Sequence, residues 1–459
     1  MKVKNISKIA IVAALTAVLP GCHIYNKFEL PDDNALAQEY VKATEAEADS
    51  NAFGNLPWQQ VFTDPMLADL ISRALDNNKD LRNAKLNVDI AHAQMKGARL
   101  SYLPSLALNP NGAGASYAGS TISWTYQIPL AASWEIDVFG KILNSKRGAE
   151  AGHSQAKDYE QAVRSQIIAG VANCYYAIAT LENQLELSRR TADSWAQSVQ
   201  VMKDLKLAGQ VNEAAVVQST AQYYSILASI TDLEASLVDA NNSMSLLMNE
   251  MPQRWEIPSG TVMNPPAMIR EGVPMRELAA RPDVRAAERG VAVAYYATNS
   301  ARAAFYPGIT ISANGGFTNL LGSFIANPGD WFVQLAGSLT APLFARGQNI
   351  ARLEAAKAQQ QQAMNNFEYA LMSASAEVSY AMTVYAKSEE KLALLATQVE
   401  NLEKSVEYTQ ELLTLGTSTY LEVLTAQQNL LGAQMSFLAC EHSKTQAVIN
   451  LYQSLGGGR

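Results

Sequence analysis

The prolines are bunched. The chain has 459 residues and 16 prolines, yet none lies between Pro129 and Pro252 and none follows Pro342. A proline inside a helix removes a hydrogen bond and clashes with the turn before it. Two long Pro-free stretches rich in Ala, Gln, Leu and Glu therefore predict long helices. Each stretch carries a glycine near its middle, in Leu207-Ala208-Gly209-Gln210 and in Leu415-Gly416-Thr417-Ser418. A glycine so placed suits a helix stop and a tight reversal. The pattern predicts two helical hairpins, about 141–251 and 347–455. One helix from Gly347 to Leu415 would span roughly 100 Å at 1.5 Å per residue, too long for a compact globular domain.

Inside these stretches the apolar period is that of packed helices. Tyr385, Leu392, Val399, Val406 and Leu413 recur every seven residues, with Leu395 and Leu402 between them. On the returning segment Val423, Leu430 and Phe437 form one row, and Ala426, Ala433, Cys440 and Ala447 another. Ile167, Cys174 and Leu181 form a row in the first hairpin, so Cys174 and Cys440 read as buried structural thiols.

The chain also repeats itself. Asp80-Leu81-Arg82-Asn83-Ala84 matches Asp283-Val284-Arg285-Ala286-Ala287, and Ala98 to Pro104 matches Ala301 to Pro307, both at a shift of 203. The shift reads as 205 for Ser133–Lys141 against Ser338–Arg346, and as 207 between Gly209 and Gly416. Each unit reads helix, two strands, long helix, returning helix. The first covers 58–251 and the second 275–459, with a linker at 252–274.

The strand segments, about 105–137 and 308–343, have a period of two. Trp124, Tyr126, Ile128, Leu130, Ala132, Trp134 and Ile136 share one face, opposite Thr125, Gln127, Pro129, Ala131, Ser133, Glu135 and Asp137. Ile309 to Phe317 and Trp331 to Leu339 split the same way. Parity slips near Pro110, which predicts a bulge there. Such alternation fits a soluble sheet or a transmembrane β-barrel, whose strands need about 9–11 residues. For a barrel, Trp124, Trp134, Phe317 and Trp331 sit where girdle aromatics belong. Four strands cannot close in lipid, but three chains would supply twelve.

The first residues are a targeting segment. Lys2, Lys4 and Lys8 precede the apolar run Ile9–Leu19, which is too short to span a bilayer. Leu19-Pro20-Gly21-Cys22 resembles a bacterial lipobox, with Pro20 where a small residue is usual. It predicts a signal peptide at 1–21, acylation of Cys22 and an acylated tail at 22–57, with the lipid the only added group and no cofactor. His23 follows, not the Asp that retains lipoproteins at the inner membrane, so the outer membrane is expected. With 35 Lys+Arg against 43 Asp+Glu, the net charge of −8 argues against nucleic acid as a partner. Four scattered histidines (His23, His92, His153, His442) and three cysteines offer no metal cage. Gly112-x-Gly114 opens no helix, Gly140-Lys141 is not a phosphate loop, and no catalytic motif is present, so no enzyme is expected.

Taken in order, the signal and lipobox, the opening Trp58-x-x-x-Phe62-x-Asp64-Pro65-x-Leu67, the duplicated units and the turn Leu415-Gly416…Val423-Leu424-x-Ala426-Gln427 resemble the outer membrane factor family. The likeness is strongest to its lipoprotein branch serving RND-type efflux pumps. The resemblance implies a mainly α chain with a transmembrane β-barrel. A homotrimer forms a twelve-stranded barrel in the outer membrane, continuous with a twelve-helix periplasmic tunnel. A belt around the tunnel draws on 38–75, 247–280 and the end of the last helix. The partners implied are a periplasmic adaptor (membrane fusion) protein and an inner-membrane RND-type transporter. The chain would be a passive, gated exit duct for small toxic solutes, whether drugs, metals or others. A type I secretion duct and a periplasmic coiled-coil scaffold are the alternatives.

In that family the tunnel narrows at its periplasmic tip. Counting from Gly416, the first acidic ring position is Glu422, the second is Thr425, and Ala215 occupies the analogous place after the first turn. Three copies of Glu422 would attract cations, and Tyr420 would add bulk to a gate. Leu207, Gly209, Leu415, Gly416 and Thr417, at the turns, are the implied adaptor contacts. Gln359–Gln362 reads as solvated helix surface.

Overall fold

A computed structural model describes residues 26–31, 35–45, 53–116, 118–258, 260–261, 263, 275–318 and 330–458. Segments 1–25 and 264–274, on which the expected signal peptide, Cys22 and part of the expected linker fall, lie outside the described residues.

The elements run α1 (Ala35–Glu45), a 3-10 turn at Phe53–Asn55, α2 (Trp58–Val61), α3 (Pro65–Asn77), α4 (Lys79–Leu100), β1 (Ser105–Leu108), β2 (Asn111–Ala115) and β3 (Ser123–Ile136). Then come α5 (Lys141–Leu207), α6 (Glu213–Met248), α7 (Met275–Ala279), α8 (Pro282–Ala303), β4 (Gly308–Thr318), β5 (Asp330–Thr340), α9 (Gln348–Thr414) and α10 (Tyr420–Ser454). Among the described residues the protein is mainly α with one antiparallel sheet. The two Pro-free stretches are the α5–α6 and α9–α10 hairpins. α5 and α9 have 67 residues each, roughly 100 Å at 1.5 Å per residue.

By compactness the chain forms two units that cut across the duplication. One gathers 86–158 and 285–369 with the N-terminal residues to 38, and the other gathers 39–85, 159–284 and 370–459. α5 and α9 each contribute to both. In the second unit the opening motif explains itself. Trp58, Val61, Phe62, Leu67, Leu70, Ile71 and Ala74 are buried. Each of the Val, Leu, Ile and Phe side chains among them contributes about 1.5–3 kcal/mol. Asp64 is the N-cap of α3, and Pro65 is its first residue, where a missing N–H costs nothing. The ring of Tyr452 meets Phe53 and Phe62 edge-on at 5.6 and 5.7 Å. The rows around Cys440 are core as expected: Ala426, Ala433, Cys440 and Ala447 are all buried.

The duplication persists at the level of single hydrogen bonds. Asn78 Nδ2 donates to Leu247 O at 3.0 Å, and its counterpart Arg281 Nη1 donates to Ser454 O at 2.6 Å. The second repeat has put a cation at the helix end, where the macrodipole favours it, and Arg281 also pairs with Asp283 and Glu377 at 2.7 and 2.8 Å. The shift of 205 is corrected. α5 and α9 start at Lys141 and Gln348, directly after Gly140 and Gly347, whose φ values are +71° and +74°. Gly112 faces Tyr126, while its counterpart Gly315 faces Val333. The shift is therefore 203 up to the first strand of each hairpin and 207 from the second onward. The Ser133–Ser338 match was a coincidence of composition.

The sheet order is β1/β2–β3–β4–β5. The bulge expected at Pro110 is absent. Leu108 faces Leu130 and Asn111 faces Gln127, so Asn109 and Pro110 stand opposite Ile128 and Pro129, two against two. The interruption is one of missing donors. Asn109 N–H donates to Pro129 O at 3.1 Å. Pro110, the next residue, therefore turns its donorless nitrogen to the open edge, where a proline is tolerated. Pro129 cannot return the bond, and Asn109 O lies 3.5 Å from Asn111 Nδ2 instead. Across the sheet Pro129 faces Gly316, where a Cβ would lie 2.1 Å from Ile128 O.

Candidate functional site

Two regions stand out, the sheet surface and the hairpin tips. The registers align one apolar face across every strand. Ile128 faces Phe317, which faces Trp331; Trp134 faces Ile311; Leu106 faces Ala132; Leu335 faces Ala313. This face is bare, with Trp331 and Leu335 76% exposed and Leu106 and Leu339 69% exposed. A continuous apolar surface of this kind is matched by lipid, not water. The opposite face carries Thr125, Gln127, Ser133, Thr310, Ser312, Asn314, Gln334 and Ser338. The aromatics fall at both ends. Phe317 and Trp331 pair at one end, and Trp124 lies beyond the last β3–β4 pair. At the other end Trp134 donates its indole N–H to Tyr102 O at 2.9 Å, and Phe139 stacks on Tyr306 at 4.9 Å.

The N-terminal residues are tied to this unit. Phe28 N–H donates to the Tyr296 hydroxyl at 3.0 Å, and Arg147 Nη1 donates to Asn26 O at 3.0 Å.

Both tips close with the same backbone device. Gln210 N–H bonds Leu205 O and Gly209 N–H bonds Lys206 O, both at 2.9 Å; Thr417 N–H bonds Leu412 O and Gly416 N–H bonds Leu413 O, both at 3.0 Å. These are Schellman closures, and their glycines take φ of +74° and +72°, as the left-handed turn requires. Each returning helix is then capped. Asn212 Oδ1 accepts from Ala215 N–H at 3.1 Å, and Lys206 pairs with Glu213 across the first turn. At the second, Thr419 is the N-cap and Glu422 reaches back to Thr419 N–H at 3.3 Å and to the Ser418 hydroxyl. These donors, Ser418 first, hold the Glu422 carboxyl below its ordinary range. The Thr-x-x-Glu spacing of a capping box is readable in Thr419–Glu422.

Tyr420 is half-buried and packs on a cluster of Ala192, Trp195, Ile226 and Leu424, which joins the two hairpins; burial pushes its hydroxyl pKa up. Its ring is engaged as packing. Leu207 and Leu415, by contrast, are 86% and 74% exposed, bare apolar points at the two turns. Thr417 is exposed and donates its hydroxyl to Leu412 O at 3.1 Å.

Cys440 is buried as expected, whereas Cys174 is only half-buried; desolvation still pushes its thiol up to about 11, which leaves it inert at neutral pH. Among the described residues no group of three or more His, Cys, Asp or Glu meets to hold a metal, and no helix is long and apolar enough to cross a membrane.

Comparison with known proteins agrees with this geometry. The family model described as outer membrane efflux protein matches residues 70–250 and 273–457. The chain is 27% identical to the probable outer membrane lipoprotein SilC of Salmonella typhimurium, covering all of this chain and 99% of that one. It is 27% identical to the cation efflux system protein CusC of Escherichia coli O6:H1, over 96% of each. The open-state MtrE outer membrane channel of Neisseria gonorrhoeae superposes with a TM-score of 0.79 at 28% identity, covering 90% of this chain and 94% of that one.

Proposed function

The chain belongs to the outer membrane efflux protein family, and on that premise we propose how it serves as the outer-membrane exit duct of a tripartite efflux pump. Three copies join edge to edge, so that twelve strands close a barrel in the outer membrane and twelve helical segments form the periplasmic tunnel. The observation that carries this reading is the sheet itself: an unbroken apolar face, a polar face and two open edges. An open edge is not tolerated in lipid, and closure removes it. Cys22 is acylated and anchors the N-terminus; Asn26, held by Arg147, lies within about 14 Å of it along an extended chain.

The tips meet the periplasmic adaptor through Leu207, Gly209, Leu415, Gly416 and Thr417, and the adaptor links the duct to an inner-membrane RND-type transporter. Three Glu422 carboxylates line the narrow end and favour cations. Transport is driven by the transporter; the duct is a gated conduit. Native mass spectrometry of protein extracted from outer membranes in mild detergent tests the assembly. A trimer with an acyl group on each Cys22 is expected, and a lipid-free monomer would overturn it.

A further inference from the structure

The seam between α4 and α5, at the helix end of the sheet, gathers cations. Across it Arg99 Nε and Nη2 donate to Glu150 Oε1 at 3.1 and 2.9 Å. One step farther from the sheet His92 meets His153, ring centroids 5.4 Å apart. Residues three or four apart share a helix face. Lys96 therefore stands between His92 and Arg99 on α4, and Lys146 one turn nearer the sheet than Glu150 on α5. The carboxylates of this end are engaged: Glu150 with Arg99, Asp137 with the N–H of Leu143 at 2.6 Å, and Glu135 with Lys141 at 2.8 Å. Among the described residues no carboxylate pairs with Lys96 or Lys146. His153 feels the surplus: burial, then Lys157, His92 and Arg99, push its pKa down.

We propose that this seam binds the headgroup of an anionic phospholipid in the periplasmic leaflet of the outer membrane, its phosphate received by Lys96, Arg99 and Lys146. The inference rests on the membrane duct proposed above and adds a lipid preference to it. Charge and place support it. The chain as a whole is acidic, at −8, and the connections at the opposite strand ends, 116–122 and 319–329, hold no charged residue. The cations stand where the bare apolar face of the sheet gives way to helix, which is where acyl chains give way to headgroups. The tail passes the same place: Arg147, next to Lys146, donates to Asn26 O at 3.0 Å, and Lys27 follows it. The leaflet that would hold an acylated Cys22 thus lies within about 14 Å of Asn26 along an extended chain. A basic patch beside an acyl anchor is a pairing that makes membrane attachment firm, and clustered Lys and Arg at a membrane surface select anionic headgroups.

The test is lipid titration of the full-length protein in mild detergent. Dioleoylphosphatidylglycerol or dioleoylphosphatidylcholine is added, and bound lipid is read by native mass spectrometry. Phosphatidylglycerol is expected to bind in preference to phosphatidylcholine, and less tightly as salt rises. Lys96→Gln with Lys146→Gln is expected to weaken phosphatidylglycerol binding about tenfold or more. Lys387→Gln with Lys404→Gln, an equal loss of charge in the other unit, is expected to leave it unchanged. Equal binding of the two lipids, full binding by the Lys96→Gln/Lys146→Gln protein, or equal weakening in both double variants overturns the proposal. The heat-modifiable band reports the fold of each variant; if the first double variant lacks it, its two single variants are titrated under the same criteria. A trimer without lipid preference overturns the seam alone, whereas a monomeric mass for the unsubstituted protein overturns the duct reading beneath it.

Discussion

Tyr175 donates its hydroxyl to Asp64 Oδ2 at 2.8 Å, while Oδ1 of the same carboxylate accepts the N–H of Met66 at 2.8 Å. One side chain thus starts α3 and ties it to α5. Tyr175 is only 1% exposed, and burial with the adjacent Asp64 charge drives its pKa well above the ordinary phenol value. Asp64→Ala removes a cap worth about 1 kcal/mol and leaves a buried hydroxyl short of its acceptor, a further loss of about 1–3 kcal/mol. Tyr175→Phe forfeits only the bond, about 1 kcal/mol. Denaturant midpoints should fall in that order; equal midpoints would deny Asp64 its double role.

The tip has a pH dependence with a definite sign. Glu422 is held below its ordinary carboxyl value by Ser418 and Thr419. A depressed folded-state pKa gives stabilisation that is present above the unfolded value and lost as pH falls through the folded one. Amide exchange in the first turn of α10, corrected for intrinsic rates, should be slower than in Glu422→Gln at neutral pH, and the difference should vanish in acid.

The same variant probes permeation. If three Glu422 carboxylates line the opening, Glu422→Gln lowers cation selectivity in single-channel recordings. Unchanged selectivity would confine Glu422 to its capping role.

Two glycine substitutions separate strain from collision. A Cβ at Gly209 or Gly416 meets nothing within 4 Å, so alanine there meets only the left-handed backbone penalty, roughly 1–2 kcal/mol. Limited proteolysis should show a looser tip on an assembled protein. Gly316→Ala drives a Cβ to 2.1 Å from Ile128 O and 2.8 Å from Pro129 Cα. It should abolish the heat-modifiable band of a closed barrel.

Much of the fold is legible in the sequence. Long helices follow from the absence of proline, and strand faces from period two, because both are local rules. Pro110 was misread because a parity slip in one strand looks the same whether a residue is inserted or a donor is missing. Only the partner strand, with Leu108 on Leu130 and Asn111 on Gln127, tells them apart. The shift across β3 and β5 failed for a related reason: Ser, Ala and Leu recur so often in these strands that identity matches are cheap, whereas register is set by pairing. Glu422 was read by position in a pore, while its nearest partners, Ser418 and Thr419, lie in its own turn.

The change of shift from 203 to 207 has a historical meaning. Between β2 and β3 the chain spends seven residues, 116–122; between β4 and β5 it spends eleven, 319–329. From Asn78 and Arg281 to Leu247 and Ser454, this is where the two descendants of the ancestral unit differ in length. Descent has kept the count fixed wherever strands pair or helices cross, and has let it wander in the connection at the strand ends farthest in sequence from the helices. In an assembled ring that rim would alternate short and long loops, a threefold pattern on a nearly sixfold wall. It is the natural place for selection to adjust what the cell shows to its surroundings.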